Sequence, residues 1–380
     1  LDVELLLERF GRGPHPARNV ERNLADLAAQ LAANERGRAE LLRLVAAYGL
    51  QVVAAYMGHV QANAEQRVRA ALRSLAIAGR GPARCTLEMD GGERIAVAVS
   101  VDAASGDATV DFDGTAPQSG SNRNAPLAVC TAAVLYVFRT LVDAEIPLNE
   151  GCLAPIRLRV PEGSLLRPVP PAAVVAGNVE TSQVIVDALY GALGVLAGSQ
   201  GTMNNFTFGD DDVQYYETIA GGAGAGPDDL AATPGRGGGF AGASGVQTHM
   251  TNSRLTDPEV LEARLPVLLR EFAYRRGSGG DGRWRGGDGL VRCVEFRRPL
   301  TAAILSNHRR HAPRGLAGGG DGTPGRNRVL RADGRIETLD ATAAVAMNAG
   351  DRFVIATPGG GGFGTRDRPP TGIQKGSDPF

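Results

Sequence analysis

Uncharged hydrogen-bonding side chains gather beside glycine in the middle of the chain, from Ala176 to Arg254. Amide and hydroxyl groups at this density are typical of a site that recognises a polar, neutral ring, and preorganised donors stabilise an oxyanion where water is excluded. The first of four such blocks ends at a predicted helix start, where free backbone N–H groups favour a carboxylate or a phosphate. The residues for which this pattern predicts contact with a ligand are Asn178, Glu180, Ser182, Gln183, Thr202, Asn204, Asn205, Thr251, Asn252 and Arg254.

Two residues of the same region, Glu217 and His249, are the candidates for catalysis. Glu217 has the chemistry of a general base, and a carboxylate held in an ion pair is the competing interpretation. Arg254 has the geometry to clamp a phosphate or carboxylate, or to form an ordinary salt bridge. The Asn and Thr residues could equally satisfy their own turns and helix caps. Four blocks within about 80 residues favour a binding site over four unrelated turns.

Several well-known motifs of catalysis and metal binding are absent from the sequence. There is no HExxH pair, and His308-x-x-His311 lies among arginines that oppose a divalent cation, so a solvated basic loop is predicted there. Gly242-Ala-Ser-Gly245 lacks the spacing of a nucleophile elbow, and Gly221–Gly226 imitates a dinucleotide fingerprint without a βαβ unit around it. Because the only lysine is Lys375, a Walker A loop cannot occur before the tail. The sequence assigns no metal ligand.

The bulk composition limits the class of protein. Its 380 residues are 43% hydrophobic and 21% charged, which predicts a folded chain with one large or two ordinary domains. A formal net charge of -1 gives no overall field that would attract nucleic acid or a membrane surface. The four scattered cysteines and the lack of a long apolar run predict a reducing, cytoplasmic location. The 52 glycines occur in clusters, which predicts tight turns and close approaches of backbone to backbone.

The polar blocks need a scaffold, and the sequence patterns predict an α+β fold for it. Asn19 precedes an apolar helical repeat that ends at Gly49. A second repeat from Leu50 is predicted to fold back on the first, so that residues 18–78 form a helical hairpin. Residues 1–80 are therefore the predicted helical region.

A central α/β region is predicted over residues 81–265. Three alternating runs between Arg84 and Phe112 predict an antiparallel meander, and Pro126 begins a helix. Asn178 is predicted to cap a further helix, which is apolar around most of its girth and hence central. Strands are predicted at Gly201–Phe208, Gln214–Ile219 and Val246–Asn252, and a short helix at Asp257-Pro258. A β-rich closing region over residues 266–365 and a disordered or foreign tail over residues 366–380 complete the predicted organisation.

Six strings of residues are long enough to compare with known families. They are Pro-Leu-Asn149-x-Gly-Cys152, Ala-Gly177-Asn-Val-Glu-Thr-Ser-Gln183, Ser199-Gln-Gly-Thr-Met-Asn-Asn205, Thr248-His-Met-Thr-Asn252, Gly286-Gly-Asp-Gly-Leu-Val291 and Thr357-Pro-Gly-Gly-Gly-Gly362. These strings resemble the hydantoinase B / 5-oxoprolinase family, and the resemblance covers roughly residues 17–365. Strings of this length are far more specific than a lone glycine motif.

The resemblance implies ATP-dependent opening of a cyclic amide, such as 5-oxoproline or a hydantoin, by a two-part enzyme. ATP would be bound mainly by the partner, a hydantoinase A-like subunit or domain with an actin-like fold. Phosphorylation of the amide oxygen would then make the carbonyl carbon electrophilic before water attacks. A related ATP-dependent ketone carboxylase is the alternative enzyme, and a fragment that only binds the partner subunit is the non-enzymatic alternative.

The resemblance also bears on the ends of the chain. Members of the family resemble one another over a further N-terminal stretch, rich in His, Asp and Asn, that precedes the segment equivalent to Leu1. This implies that the chain is the C-terminal portion of a B-type subunit or domain and that the ligands of any divalent metal lie in that stretch. We therefore expect the fragment alone to be inactive.

Overall fold

The computed structural model describes residues 2–12, 16–17, 19–227, 239–250 and 253–366. The chain divides into two compact units, Leu1–Ala64 and Glu65–Phe380. The predicted α+β class is confirmed, with helices at the N-terminus and mostly strands in the C-terminal part. The helices are α1 (Val3–Gly11), α2 (Val20–Tyr48), α3 (Leu50–Ser74), α4 (Leu127–Thr140), α5 (Ser182–Leu193) and α6 (Pro258–Arg264), with a 3₁₀ turn at Glu150–Cys152 and a π-helical turn at Gly177–Thr181.

The N-terminal unit contains α1 and α2, whose ends follow the predicted capping signals. The Asn19 side chain accepts a hydrogen bond from the backbone N–H of Arg22 at 3.0 Å, so it caps α2. Gly49, with φ +83°, ends α2, and α3 begins at the next residue. In the described part of the chain, no single helix is both long and apolar enough to cross a membrane, and only the bent pair α2 and α3 taken together reaches that length and composition.

The described strands of the larger unit form three sheets and one short ribbon. The strands are β1 (Ala83–Glu88), β2 (Arg94–Val101), β3 (Ala108–Asp111), β4 (Ile156–Arg159), β5 (Asn205–Gly209), β6 (Gln214–Thr218), β7 (Gly226–Pro227), β8 (Gly239–Phe240), β9 (Val267–Arg275), β10 (Gly289–Phe296), β11 (Leu300–Leu305), β12 (Arg326–Leu330), β13 (Ile336–Leu339), β14 (Thr342–Met347) and β15 (Arg352–Ala356). The sheet orders are β1-β2-β3-β4, β13-β12-β15-β10-β9, β14-β11-β5-β6 and β7-β8.

The first sheet and two helices form the layer that carries α5. Strands β1, β2 and β3 are the predicted antiparallel meander, and β4 adds a parallel partner that the sequence did not predict. Helix α4 begins after Pro126 as predicted, and α5 packs against α4, β1 and β2. Ten of the 12 residues of α5 are buried, which confirms its central position.

The predicted cap of α5 is wrong. Asn178 lies inside the π-helical turn, and the residue that precedes α5 is Thr181, which makes no side-chain capping bond. The backbone carbonyl of Asn178 instead accepts the Ser182 hydroxyl at 2.6 Å. The turn continues directly into the helix, so no isolated helix start exists at Asn178.

The strands of the central region complete a sheet of the closing region. Strand β5 pairs with both β6 and β11, so the predicted strands after Gly201 and Gln214 are confirmed and joined to later ones. The strand predicted at Val246–Asn252 is wrong for its described residues, since Val246 makes only an isolated bridge to Gly221 and His249 has φ +57°. Its last two residues lie outside the described part of the chain, as do residues 367–380 of the predicted tail.

Glycine-rich segments from distant parts of the chain lie side by side. The backbone N–H of Gly360 donates to the Gly287 carbonyl at 2.9 Å, and the Gly287 N–H donates to the Ala223 carbonyl at 2.9 Å. A Cβ at Gly360 would collide with the carbonyl oxygen of Ala223. The close backbone approaches predicted from the glycine clusters are therefore confirmed, because a side chain would separate these segments.

Candidate functional site

The loop after β11 carries a histidine whose ring turns into the protein. His308 has φ +55° and is 5% exposed. Its Nδ1 lies 2.8 Å from the carbonyl oxygen of His311, which can only accept, so Nδ1 carries the proton and Nε2 presents a lone pair. Burial lowers the pKa of His308, which keeps the ring neutral at pH 7. The predicted solvated loop is therefore wrong at His308, which is enclosed despite its arginine neighbours.

A buried aspartate in the turn between β1 and β2 fixes this loop. The carboxylate of Asp90 accepts the backbone N–H groups of Arg309 at 2.6 Å, Arg310 at 3.0 Å and His311 at 3.2 Å. In return, the N–H of Asp90 donates to the side-chain oxygen of Asn307 at 2.9 Å. Three successive backbone amides are thus held by one side chain, and the conformation of His308 follows from them.

Helix α5 brings a second ionisable group to His308. Asp187 is 4% exposed, and its Oδ1 accepts the backbone N–H of Ser199 at 3.1 Å and lies 3.0 Å from Nε2 of His249. A Cβ placed on Gly201 would lie within 3.0 Å of both Asp187 Oδ2 and His308 Nε2. Neither of these two atoms has a hydrogen-bond partner among the described residues. Both atoms therefore lie against Gly201, where any larger residue would place a side chain.

The same two side chains border a cavity of about 210 Å³. Most of its lining is aliphatic or glycine, including Leu87 and Leu196, and exposed Arg314 contributes a cation. Cys85 also faces it, and burial raises the pKa of that thiol, so it is protonated at pH 7. A small apolar cavity with a few convergent polar groups is the usual form of a small-molecule site.

Next to this pair lies a buried carboxyl group in the π-helical turn. Oε1 of Glu180 accepts the Thr202 hydroxyl at 3.0 Å, the Met203 N–H at 3.2 Å and the Asn205 side-chain amide at 2.7 Å. Its Oε2 has no partner in the described part of the chain. Burial raises the pKa of Glu180 to about 8, so the carboxyl is protonated at pH 7 and can donate a hydrogen bond.

The Asp187–His308 pair and Glu180 are connected through Gly201 and Thr202. Thr202 follows Gly201, and its hydroxyl accepts the N–H of Asn307, the residue before His308, at 3.2 Å. Asn204 completes the set, because its side-chain oxygen accepts Arg309 Nη2 at 2.8 Å. Four of the predicted ligand contacts lie together in this network: Glu180, Thr202, Asn204 and Asn205.

His249 contacts Asp187, and Gln183 contacts His249, so both residues belong to the same network. The Gln183 amide donates to the backbone carbonyl of His249 at 3.1 Å, and its Oε1 has no partner among the described residues. The His249 ring packs between Tyr136 and Tyr190, with ring centroids 5.9 Å and 5.5 Å away. Since His249 Nε2 faces Asp187, this ring positions the aspartate.

Glu217 has a different environment. Its carboxylate binds Arg292 through Nε at 2.6 Å and Nη2 at 2.8 Å, and it accepts the hydroxyl of Tyr215 at 2.9 Å. Both members of this pair are buried. Because both oxygens are engaged, these contacts favour the ion-pair interpretation over a general base.

The remaining predicted residues contribute less to this network. Asn178 and Arg254 are exposed, and the hydroxyl of partly buried Ser182 is engaged by the π-helical turn. Thr251 and Asn252 lie outside the described residues. The catalytic and ligand-binding roles of all these residues remain predictions.

Sequence reasoning missed Asp187 and His308. A signal for Asp187 was present, since a single charge in a helix that is apolar on nearly every side must be buried and needs a partner. His308 carried no such signal, because its arginine neighbours indicated exposure. In the described chain, no group of three or more His, Cys, Asp or Glu side chains is arranged to hold a metal ion.

Comparisons with known proteins give the family. The family model described as Hydantoinase B/oxoprolinase matches residues 3–366. The chain is 49% identical to 5-oxoprolinase 1 of Arabidopsis thaliana over 92% of its own length, and 44% identical to 5-oxoprolinase of Dictyostelium discoideum, also over 92%. It spans only 28% and 27% of those two proteins.

Two solved structures share the fold. The ATP-dependent caprolactamase from Pseudomonas jessenii superimposes with a TM-score of 0.76 at 22% identity, over 96% of this chain and 64% of that one. A nucleotide-free acetone carboxylase gives 0.67 at 18% identity, over 85% of this chain and 50% of that one. With the family model matching nearly the whole chain, the resemblance noted in its six strings is confirmed, and this chain belongs to the hydantoinase B/oxoprolinase family.

Proposed function

We propose that this chain is the C-terminal portion of an ATP-dependent cyclic-amide hydrolase of the 5-oxoprolinase or hydantoinase type. The observation that carries the proposal is the 49% identity with a plant 5-oxoprolinase over 92% of the chain. The family match spans residues 3–366 and therefore includes the residues of the buried network. The 18% identity with acetone carboxylase supports a common fold alone.

The cavity beside Asp187 and His308 suits the proposed substrate. Its volume of about 210 Å³ accommodates a single five- or six-membered ring, and its aliphatic lining limits access of bulk water to the activated amide. The cation of Arg314 is placed to pair with a carboxylate such as that of 5-oxoproline. The cavity thus has one cationic edge and one wall with a neutral imidazole.

ATP, in this proposal, binds mainly to a hydantoinase A-like subunit or domain, and the assembled enzyme is a cytoplasmic hetero-oligomer. The absence of lysine before Lys375 supports this division, because a P-loop needs one. Four free cysteines are compatible with a reducing compartment. When bound, ATP supplies the phosphoryl group that activates the amide oxygen, and this chain orients the ring for attack on the reacting carbon.

The test uses the full-length enzyme that contains this chain, assembled with its A-type partner. We expect phosphate release to match ring opening with 5-oxoproline or a hydantoin as substrate, measured by a phosphate assay and by chromatography. Bicarbonate-dependent ATP use with acetone or acetophenone would instead support the ketone carboxylase. Capture of the A-type partner without turnover of any substrate would support the binding-only alternative.

A further inference from the structure

Asp187 and His308 line the cavity, and one buried atom of each, Asp187 Oδ2 and His308 Nε2, lies close to Gly201 and has no partner in the described chain. We propose that His308 Nε2 accepts the proton of the water that attacks the activated amide, with Asp187 stabilising the imidazolium. This inference rests on the proposed cyclic-amide hydrolase function, because that reaction requires water at the carbonyl carbon.

The hydrogen bond made by Nδ1 of His308 makes the other ring nitrogen, Nε2, a hydrogen-bond acceptor. Nδ1 donates to the His311 carbonyl, so Nε2 is an acceptor, and His308 is one of the residues that line the cavity. Buried polar atoms are almost always paired, and an orphaned acceptor beside a cavity indicates a donor that arrives with the ligand. A water molecule supplies such a donor and is the nucleophile that the reaction needs.

Three other ionisable groups of the central region make poorer bases. Glu180 is protonated at pH 7 because burial raises its pKa to about 8, and the thiol of Cys85 is protonated because burial raises its pKa. Glu217 has both carboxylate oxygens engaged by Arg292 and Tyr215. Of the residues that line the cavity, His308 supplies the neutral acceptor, and Asp187 supplies the carboxylate beside it.

Charges from several elements surround His308. Asp187 on α5 and Asp90 in the β1–β2 turn favour the imidazolium, while Arg309 in the same loop opposes it. Arg314 also lines the cavity, and its positive charge acts in the same sense as that of Arg309. Asp187 is the main group that stabilises the imidazolium of His308. Its Oδ1 is fixed by Ser199 and His249, and its Oδ2 has no partner among the described residues.

The step balances in atoms and protons. The water oxygen bonds to the carbon of the O-phosphorylated amide as one water proton moves to His308 Nε2. The imidazolium returns this proton to the ring nitrogen, the C–N bond breaks, and the remaining proton of the water also ends on that nitrogen as the carbonyl forms. The acyl phosphate so produced is hydrolysed by a second water, and the imidazole is neutral again.

His308→Gly in the full-length enzyme with its A-type partner tests the inference. Glycine suits the left-handed backbone at φ +55° and leaves a space that free imidazole can enter. We expect kcat to fall by roughly 10²–10⁴-fold with little change in KM. Added imidazole should restore part of the loss, and the acid limb of the pH–rate profile should disappear. His59→Gln, on the surface of α3, is the control and should match the parent enzyme.

Hydroxylamine separates activation from water attack. It is a strong nucleophile that needs no general base, and its attack on the carbon of the O-phosphorylated amide, with loss of phosphate, gives an N-hydroxyamidine. His308→Gly should form this product at a rate close to that of the parent enzyme while hydrolysis is lost. Retention of the parent kcat and acid limb by a folded His308→Gly variant would overturn the inference, as would loss of both hydrolysis and N-hydroxyamidine formation with no imidazole rescue.

A second variant covers the case in which His308→Gly does not fold. Asp187→Asn keeps an oxygen that can accept from Ser199 and removes the negative charge. Its acid limb should move to lower pH, because the imidazolium loses its stabilising neighbour, and an unmoved limb would overturn the inference. A parent enzyme that opens no lactam or hydantoin would contradict the proposed function itself, and this inference with it.

Discussion

At the scale of single residues, Glu180 shows what a sequence can and cannot predict about a site. Its place among Thr202 and Asn205 was predicted because polar residues of one type recur in neighbouring blocks. The protonation of Glu180 could not be predicted from the sequence, because the pKa of its carboxyl group depends on complete burial, which only the folded chain creates. The same limit applies to Asp187 and His308, which are distant in sequence and approach each other only in the folded chain.

The raised pKa of Glu180 predicts a stability that depends on pH. Burial moves the pKa from 4.5 to about 8, so between these values the folded protein holds a proton that the unfolded chain has lost. The free energy of unfolding should therefore fall as pH rises through this window and stop changing on this account above about pH 8.

Glu180→Gln removes the titration and keeps a neutral side chain of the same shape. Relative to the parent protein, the variant should gain stability as pH rises from 5 to about 8 and then keep a constant difference, as measured by urea unfolding at each pH. Glu145→Gln changes an exposed carboxylate and should show a difference that does not vary in this way. Parallel stability curves for Glu180→Gln and the parent would contradict the assigned protonation.

At the scale of elements, local patterns predicted those parts whose contacts are local. The caps at Asn19 and Gly49 and the meander from β1 to β3 follow from residues within a few positions of each other. Strand β4 and the conformation around Val246 were missed, because a parallel pairing and a glycine-supported loop depend on distant partners. The loop that carries His308 belongs to this second group.

This loop depends on Asp90, and its removal should be costly. Asp90→Ala leaves three backbone N–H groups without their acceptor, so we expect the free energy of unfolding to drop by about 2–4 kcal/mol. Asp90→Asn keeps one oxygen and should lose less. Urea unfolding measures the stability of both variants. Asp143 is exposed, so Asp143→Ala is the control, and its free energy of unfolding should lie within about 0.5 kcal/mol of that of the parent. Equal stability of Asp90→Ala and Asp143→Ala would show that the loop is held by other contacts.

At the scale of the whole molecule, glycine joins segments that are far apart in sequence. Gly198, Gly287 and Gly360 lie in three separate stretches, and backbone hydrogen bonds connect them through Ala223 and Gly361. The clusters in the sequence predicted close approaches but not which segments meet, because glycine carries no side chain that could specify a partner. The pairing is set instead by the sheets and by the apolar core around Phe206, Phe296 and Phe353.

Single methyl groups should therefore have very different effects at different glycines. A Cβ at Gly360 would strike the backbone of Ala223, which cannot rotate away, so Gly360→Ala should destabilise the protein by at least about 2–3 kcal/mol. Gly120 is the matched control in the same unit, because a Cβ there meets no heavy atom within 4 Å and Gly120→Ala should be nearly neutral. Thermal and urea unfolding of the two variants decide the matter. If Gly360→Ala were as stable as Gly120→Ala, the segments around Gly198, Gly287 and Gly360 could move apart without loss of stability. Their close packing would then not be what holds residues 198–362 together.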